Sequence, residues 1–305
     1  MPELPDLQLY LRALEPRLVG RRLLRVRLRT PFLLRSVEPP VAAVEGKRVV
    51  GLRRIGKRIV VALEEELFLV VHLMIAGRFQ WRERAPGGDA ARPGRIALAA
   101  FEFEHATLHL TEAGTKKRAS LHVVRGEAGL RAHDPGGVEP LECDLAVFRS
   151  ALARENHTLK RALTDPRLFS AIGNAYSDEI LHRARLSPFQ WTSRLADGEI
   201  ARLFDATRAV LREWIDRLAN QAGGGFPGKV TAFRPEMAVH GRFGKPCPEC
   251  GAPVQRIVHA ENESNYCARC QTGGRVLADR ALSQLLREDW PRTLEEWEAM
   301  RRPDA

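Results

Sequence analysis

Apolar residues recur at Leu7, Leu11, Leu14 and Leu18, the three-to-four spacing that lines one face of a helix. The pattern predicts an amphipathic helix over residues 5–19, stopped at Gly20. The period then shortens. RLLRVRLR (22–29), KRVVGLRRI (47–55), KRIVVALE (57–64), LFLVVHLM (67–74), RIALAAFEF (95–103) and ATLHLT (106–111) are short apolar runs between charged or turn-like breaks. Strand after strand without an intervening helix predicts a sandwich or barrel. ERAPGGDAARPG (83–94) reads as a loop between two of these strands.

HDPGGVEP (133–140) reads as a linker, and beyond it the period becomes helical. Segments 144–156, 158–165, 174–186 and 197–220 carry spaced apolar residues, and QAGGGFPGK (221–229) breaks the series. A cysteine-bearing module follows at 237–275, then two short helices interrupted at Pro291. The expected organisation is α+β and multidomain: a β-domain over 1–132, the linker, a helical domain over 141–236, the small module, and a helical extension over 276–305. There is no internal repeat or low-complexity tract.

Charge narrows the partners. Among 305 residues, Lys and Arg number 48 against 38 Asp and Glu, a formal +10, which favours a polyanion through attraction and counterion release. No apolar run approaches the ~20 residues of a membrane span, and no secretory leader pattern precedes the fold. No membrane partner is therefore expected. Four of the five cysteines form two close pairs, metal spacing rather than a disulfide framework, which fits a reducing cytoplasm. Asn156 and Asn262 head N-x-S/T matches that carry no meaning in such a compartment.

The cysteines give the strongest isolated signal. Cys247 and Cys250 flank two residues, as do Cys267 and Cys270, with sixteen between the pairs. Zn(II) takes four soft donors at tetrahedral corners, and each C-x-x-C knuckle supplies two. Four thiolates leave no open position, so one structural rather than catalytic ion is expected. Cys143 stands alone and is expected to be a small buried residue rather than a fifth ligand. The approach HGRFGKP brings Arg242 and Lys245, suited to phosphate contact. In SAIGNAYSDEIL, Gly173 and Asn174 form a turn ahead of a helix, either a simple stop and cap or a phosphate site at a helix N-terminus. The chain's own start, MPELPD, allows two readings. Proline and acids suit the first turn of a helix. Alternatively, with Met1 removed, Pro2 presents a secondary amine with an acid beside it.

Four motifs together settle on one family. PELPD (2–6), Lys57 in RRIGKRIVV, LKRALTDPRLFSAIGNAYSDEIL (159–181) and VHGRFGKPCPECG…YCARCQ occur in order. The chain resembles the formamidopyrimidine-DNA glycosylase / endonuclease VIII (Fpg/Nei) family to about residue 272. The resemblance implies an N-terminal β-sandwich flanked by the first helix, a helix–two-turns–helix domain and a zinc-ribbon finger. It also implies a base-excision enzyme that flips a damaged nucleotide out of DNA. Pro2 is implied as the nucleophile at sugar C1′, Glu3 as the acid, and Lys57 as a phosphate contact that assists β-elimination. An α-amino group, with an unperturbed pKa of ~7.7–8.0, keeps a free-base fraction at neutral pH that a lysine ammonium reaches only on desolvation. Lys160 and Asn174 match positions that grip the DNA backbone, and His72 matches a histidine that shapes a strand turn. Damaged DNA is the implied partner, with no nucleotide cofactor, and a monomer is expected.

The departures bear on substrate. HLMIAG replaces the family's HLGMSG, so the wedge position falls on Ile75, with Met74 one residue earlier. TEAGTKKRAS stands where the family has an Arg–Phe loop, offering Lys116, Lys117 and Arg118 but no aromatic. Lysine cannot stack on an exposed base as an aromatic does. Asn262, five residues before the third cysteine, replaces the finger arginine. Impaired δ-elimination, with β-elimination favoured, is the expectation. Asp6 replaces a glutamate, one methylene shorter. The competing expectation is a noncatalytic protein that binds damaged or nicked DNA on the same scaffold.

Overall fold

The structure is a computed structural model that describes all residues except 85–93, 229, 260–261, 279 and 302–305. Most of the loop expected at 83–94 therefore lies outside the described residues, as does the Asn262 side chain. The chain forms two compact units, residues 1–136 with 213–232, and residues 137–212 with 233–305.

The first unit begins with helix α1 (Leu4–Leu18). Glu3 is its N-cap, Pro5 lies in its first turn, and Glu3 and Asp6 form a reciprocal capping box. The Glu3 N–H donates to Asp6 Oδ2 at 3.1 Å, so the shorter acid still closes the box. Leu7, Tyr10, Leu14 and Leu18 are buried along one face. The Tyr10 hydroxyl accepts the Phe79 N–H at 3.3 Å, which docks the helix on a strand start.

Eight strands follow: β1 (Arg25–Leu28), β2 (Val49–Ile55), β3 (Arg58–Leu63), β4 (Leu67–His72), β5 (Gly77–Glu83), β6 (Ala97–Glu102), β7 (Ala106–Glu112) and β8 (Ser120–Arg125). They build two antiparallel four-stranded sheets of a β-sandwich, ordered β1-β6-β7-β5 and β2-β3-β4-β8. The unbroken apolar run in β4 has a direct cause, because both of its faces are covered. Phe68 and Val70 join Val60, Val124 and Leu130 beneath α2 (Gly126–Arg131), while Leu67, Leu69 and Val71 are buried on the opposite face.

The sequence pattern marks neither β5 nor β8, and both are sheet edges. An edge strand needs fewer apolar positions, and each retains a weak period of two in its burial. Between β7 and β8, the buried Glu112 carboxylate accepts the N–H groups of Arg118 (3.0 Å to each oxygen) and Ala119 (3.2 Å).

Helix α6 (Asp197–Ala222) starts in the second unit, and its last turns belong to the first. The following segment is held on the first unit by Phe226, whose ring meets Trp81 at 6.3 Å and Tyr10 at 6.1 Å. The Arg17 guanidinium lies 5.8 Å from the same ring.

The second unit contains α3 (Leu145–Ala153), α4 (Leu159–Thr164), α5 (Asn174–Ala184), the start of α6 and the cysteine module. Gly137 enters it where no other residue fits, since a Cβ would lie 2.3 Å from the Pro166 carbonyl oxygen. The module has a hairpin, β9 (Val254–His259) and β10 (Asn262–Cys267), then α7 (Ala268–Thr272), α8 (Arg280–Leu286) and α9 (Leu294–Arg301). The extension packs on the finger. Leu277 and Leu294 share an apolar cluster with Val239, Val254, Ile257 and Tyr266, and the Leu277 N–H donates to the Tyr266 hydroxyl at 2.7 Å.

Glu112 offers a direct stability test. Glu112→Ala strands two loop N–H groups at a buried site and is expected to cost about 2–3 kcal/mol, read from urea unfolding. Glu112→Gln keeps one acceptor oxygen and should cost less.

Candidate active site

The capping box fixes the chain start, and the groups around it define the site. Pro2, Glu3 and Asp6 are buried. Lys57 sits at the β2–β3 turn, largely covered by protein, and makes no hydrogen bond among the described residues. Burial pulls its ammonium below the usual lysine value, and Glu3 pushes it back up. The terminal amine, here on Met1, is also lowered, chiefly by burial. Glu3 and Asp6 oppose that shift, and Arg78 and Lys57 reinforce it. Pro2, Glu3 and Lys57 thus come together in one corner of the first unit.

His72 ends β4 in the same corner. Burial, with the charges of Arg58 and Lys57, takes its imidazole down to about 4, so it is neutral at pH 7. Its Nδ1 accepts the Met74 N–H at 3.0 Å and thereby shapes the turn. Met74 adopts a left-handed conformation with φ of 51°. Gly77 closes the turn where a Cβ would fall 2.1 Å from the Leu73 carbonyl oxygen. The turn leaves Met74 half-buried and Ile75 53% exposed, so Ile75 is the better placed of the two to meet a base stack. The 113–119 loop lies against this turn at Gly114 and Ala76. Lys116 is exposed, whereas the Lys117 ammonium donates to the Glu112 carbonyl.

In the second unit, Lys160 and Asn174 are brought together by a buried acid. Lys160 Nζ donates to the Asn174 carbonyl at 2.6 Å and to Asp178 Oδ1 at 2.5 Å. Asp178 Oδ2 also lies 2.8 Å from His240 Nδ1 and accepts Asn265 Nδ2 at 3.2 Å. Two of the three ammonium donors are thus used inside the protein, where they fix the turn that opens α5. Arg242 donates to the Pro235 carbonyl at 2.7 Å, and Asn262 begins β10.

The four cysteines converge as their spacing implies. The Sγ atoms of Cys247, Cys250, Cys267 and Cys270 all lie within 4.8 Å of one another. Thiolates this close repel, so a divalent cation is what allows all four to ionise. One structural Zn(II) fits the donor set. His182 Nε2 of α5 lies 3.2 Å from Cys247 Sγ, supporting a ligand from outside the finger.

Comparison with known proteins matches these parts in order. Residues 1–125 match the model of the formamidopyrimidine-DNA glycosylase N-terminal domain, residues 137–222 that of its H2TH domain, and residues 244–273 a zinc finger found in FPG and IleRS. The formamidopyrimidine-DNA glycosylase of Heliobacterium modesticaldum is 33% identical over 281 residues, covering 89% of this chain and all of the relative. The chain belongs to the formamidopyrimidine-DNA glycosylase family. The crystal structure of the MutM (Fpg) protein from Thermus thermophilus superposes with a TM-score of 0.74 at 34% identity, covering 88% of this chain and 98% of that one. Lactococcus lactis Fpg in complex with FAPY-dG-containing DNA gives 0.77 at 25% identity, covering 88% of this chain and all of that one. Membership in this family makes the chain an enzyme of the DNA glycosylase class, with a base-repair role.

The family motifs do not mark several residues that this geometry makes important. Arg78, one residue after HLMIAG, donates to the Val230, Ile75 and Gly77 carbonyls. Asp178 and Glu179, to which the sequence assigns no role, are both buried. Glu179 accepts the N–H groups of Ala238, Val239 and His240 at 2.7–2.9 Å, tying α5 to the finger approach.

Because Leu277 and Leu294 share the cluster that contains Cys247 and Cys267, zinc removal should loosen the extension as well as the finger. Chelation under denaturant-free conditions is expected to open residues 244–294 to limited proteolysis while residues 1–125 stay protected. Equal protection with and without zinc would contradict this.

Proposed function

We propose that this glycosylase excises a damaged base from DNA and then cleaves the abasic strand through its terminal amine. The carrying observation is the N-terminal corner: a desolvated amine, a buried carboxylate at Glu3 and a desolvated Lys57. With Met1 removed, the Pro2 nitrogen becomes a secondary amine. Desolvation favours its neutral form, and only the neutral form has a lone pair to attack.

The amine bonds to sugar C1′, the C1′–N glycosidic bond breaks, and the base leaves with its electron pair. Glu3 protonates the ring oxygen, the C1′–O4′ bond opens, and an iminium forms between Pro2 and C1′. Loss of a C2′ proton then breaks the C3′–O3′ bond, with the 3′ phosphate as leaving group. Lys57, a cation with no internal hydrogen bond among the described residues, contacts the phosphate flanking the lesion. Asn174 at the α5 start, Lys116 and Arg242 supply further backbone contacts, and Lys160 positions the Asn174 turn. Ile75 enters the space vacated by the flipped nucleotide. The formal +10 charge supports DNA as the partner. Among the described residues no helix is long and apolar enough to cross a membrane.

Borohydride trapping on an abasic duplex tests this mechanism. A covalent protein–DNA adduct is expected for the processed wild type and is expected to be lost in Pro2→Gly and Glu3→Gln. Tight binding with no adduct would instead make the chain a noncatalytic damage binder.

Asn262 supplies a separate test of strand chemistry. A neutral amide brings neither charge nor an exchangeable acid proton to the second phosphate, so β-elimination products are expected to dominate. Asn262→Arg should raise the δ-elimination share at least severalfold on a labelled abasic oligonucleotide. Dominant β,δ-products in the wild type would refute this assignment.

A further inference from the structure

Residues 274–301 lie beyond the matched finger, yet they are built onto it through defined contacts. The Val276 N–H donates to the Arg292 carbonyl at 2.9 Å, and the Leu294 N–H donates to the Gly274 carbonyl at 3.0 Å. With the Arg275–Thr293 bridge, these bonds bring the chain back to the finger after α8. There α9 starts from a capping box. The Glu296 N–H donates to Thr293 Oγ1 at 3.2 Å, and the Glu296 carboxylate accepts the Thr293 N–H at 3.4 Å and the Arg292 N–H at 2.7 Å. Leu294 and Trp297, three residues apart, then share the helix face that meets the finger.

Trp297 reaches the turn through which the chain enters the finger. The Arg242 carbonyl accepts the Lys245 N–H at 2.9 Å, which closes the turn, and Gly244 takes its left-handed position with φ of 75°. Val254, at the start of β9, exchanges two 2.9 Å main-chain bonds with Gly244 and Lys245. Phe243 stands at the corner of this turn and is 40% exposed. Its ring centroid lies 6.3 Å from that of Trp297, at an interplanar angle of 78°. The Arg256 guanidinium of β9 lies 4.7 Å from the same centroid, and Arg256 approaches Glu263 of β10 at 3.9 Å. One ring is therefore gripped both by α9 and by the hairpin. Arg242 and Lys245 flank it in the chain, and Lys245 is exposed.

We propose that α9 is a positioning element for DNA binding, Trp297 fixing the Phe243 corner so that the turn presents Arg242 and Lys245 to the DNA backbone. The proposal rests on the reading of Arg242 as a backbone contact. Long basic side chains on a loose turn lose conformational freedom when they meet phosphate. A corner ring held edge-on by an indole and faced by a guanidinium removes part of that cost before DNA arrives.

The test is the affinity of the full chain for a duplex carrying a tetrahydrofuran abasic analogue, measured across salt concentrations, with zinc content determined in parallel. Trp297→Ala is expected to bind about three- to tenfold more weakly with its zinc retained, and its salt slope is expected to fall by up to about one. Trp297→Phe keeps an aromatic edge and should stay within about twofold of wild type. In a chain that carries Arg242→Gln and Lys245→Gln, adding Trp297→Ala should weaken binding little further, because the brace acts through those two contacts. Full additivity on that background would show a merely structural role and overturn the proposal. So would wild-type affinity and slope in Trp297→Ala. If Trp297→Ala loses zinc, Phe243→Leu decides by the same cycle, since Phe243 lies outside the apolar cluster that contains Cys247 and Cys267. Wild-type affinity in the Arg242→Gln, Lys245→Gln chain would instead remove the DNA reading of the turn on which the proposal stands, an outcome distinct from both.

Discussion

A buried carboxylate must find donors or lose its charge, and this fold is organised around acids that find them. Glu3, Asp6, Glu112, Asp178 and Glu179 are each 6% exposed or less. Asp6 takes a main-chain N–H at the chain start, Glu112 takes two in the loop beside the 72–77 turn, and Glu179 takes three ahead of the finger. Asp178 joins Lys160, His240 and Asn265. Each acid fixes backbone that no apolar contact could hold in one geometry, because hydrophobic burial is non-directional. These segments also carry the groups assigned to DNA. Burial pushes the Glu179 carboxyl above its ordinary value, and the three N–H groups pull it back. Removal of these donors would thus leave a neutral acid where a staple had been.

The N-terminal corner applies the same physics in the opposite sense. Among the described residues, Lys57 makes no hydrogen bond and Arg78 donates only to main-chain carbonyls. Burial lowers both the amine and Lys57, and the charges of Arg78 and Lys57 lower the amine further. Glu3 limits the effect, so the corner is neither an ion pair nor a stack of like charges. A nucleophile, a proton donor and a phosphate contact need different protonation states within one small space. The capping box supplies this by holding Glu3 still, since the Asp6 bond to its N–H orients the residue that separates Pro2 from the helix.

What the sequence makes legible follows from how local each signal is. The zinc ligands are readable because knuckle spacing alone dictates convergence. The first helix and the central strands are readable because their apolar periods are strong. Two of the four edge strands, β5 and β8, escape because one-sided burial asks for little apolar sequence. Asp178 and Glu179 escape for a deeper reason. Two adjacent acids on a helix look like a wet face, and only the arrival of Lys160 and residues 238–240 from elsewhere in the chain makes them interior. Arg78 is hidden similarly, since its importance comes from the Val230 carbonyl, 152 residues away. Lys160 shows the converse. Its motif marks it for DNA, and the structure adds what the motif does not say, that two of its three N–H donors hold Asp178 and the Asn174 carbonyl.

The departures from the family pattern are not scattered at random through the structure. Pro2, Glu3 and Lys57, to which the proposed covalent chemistry is assigned, follow the pattern, and Asp6 closes the capping box with a shorter side chain. The changes at Met74 and Ile75, in the 113–119 loop and at Asn262 fall on parts assigned to a nucleotide's neighbours and to the finger. The first two are in contact at Ala76 and Gly114, so altering one constrains the other. Bond making depends on a few groups in fixed positions and tolerates no displacement. Recognition of the surrounding DNA is spread over many weaker contacts, each replaceable at modest cost. On the proposed mechanism, this distribution leaves the reacting groups as the family pattern has them and places the differences where the DNA around a lesion would be read.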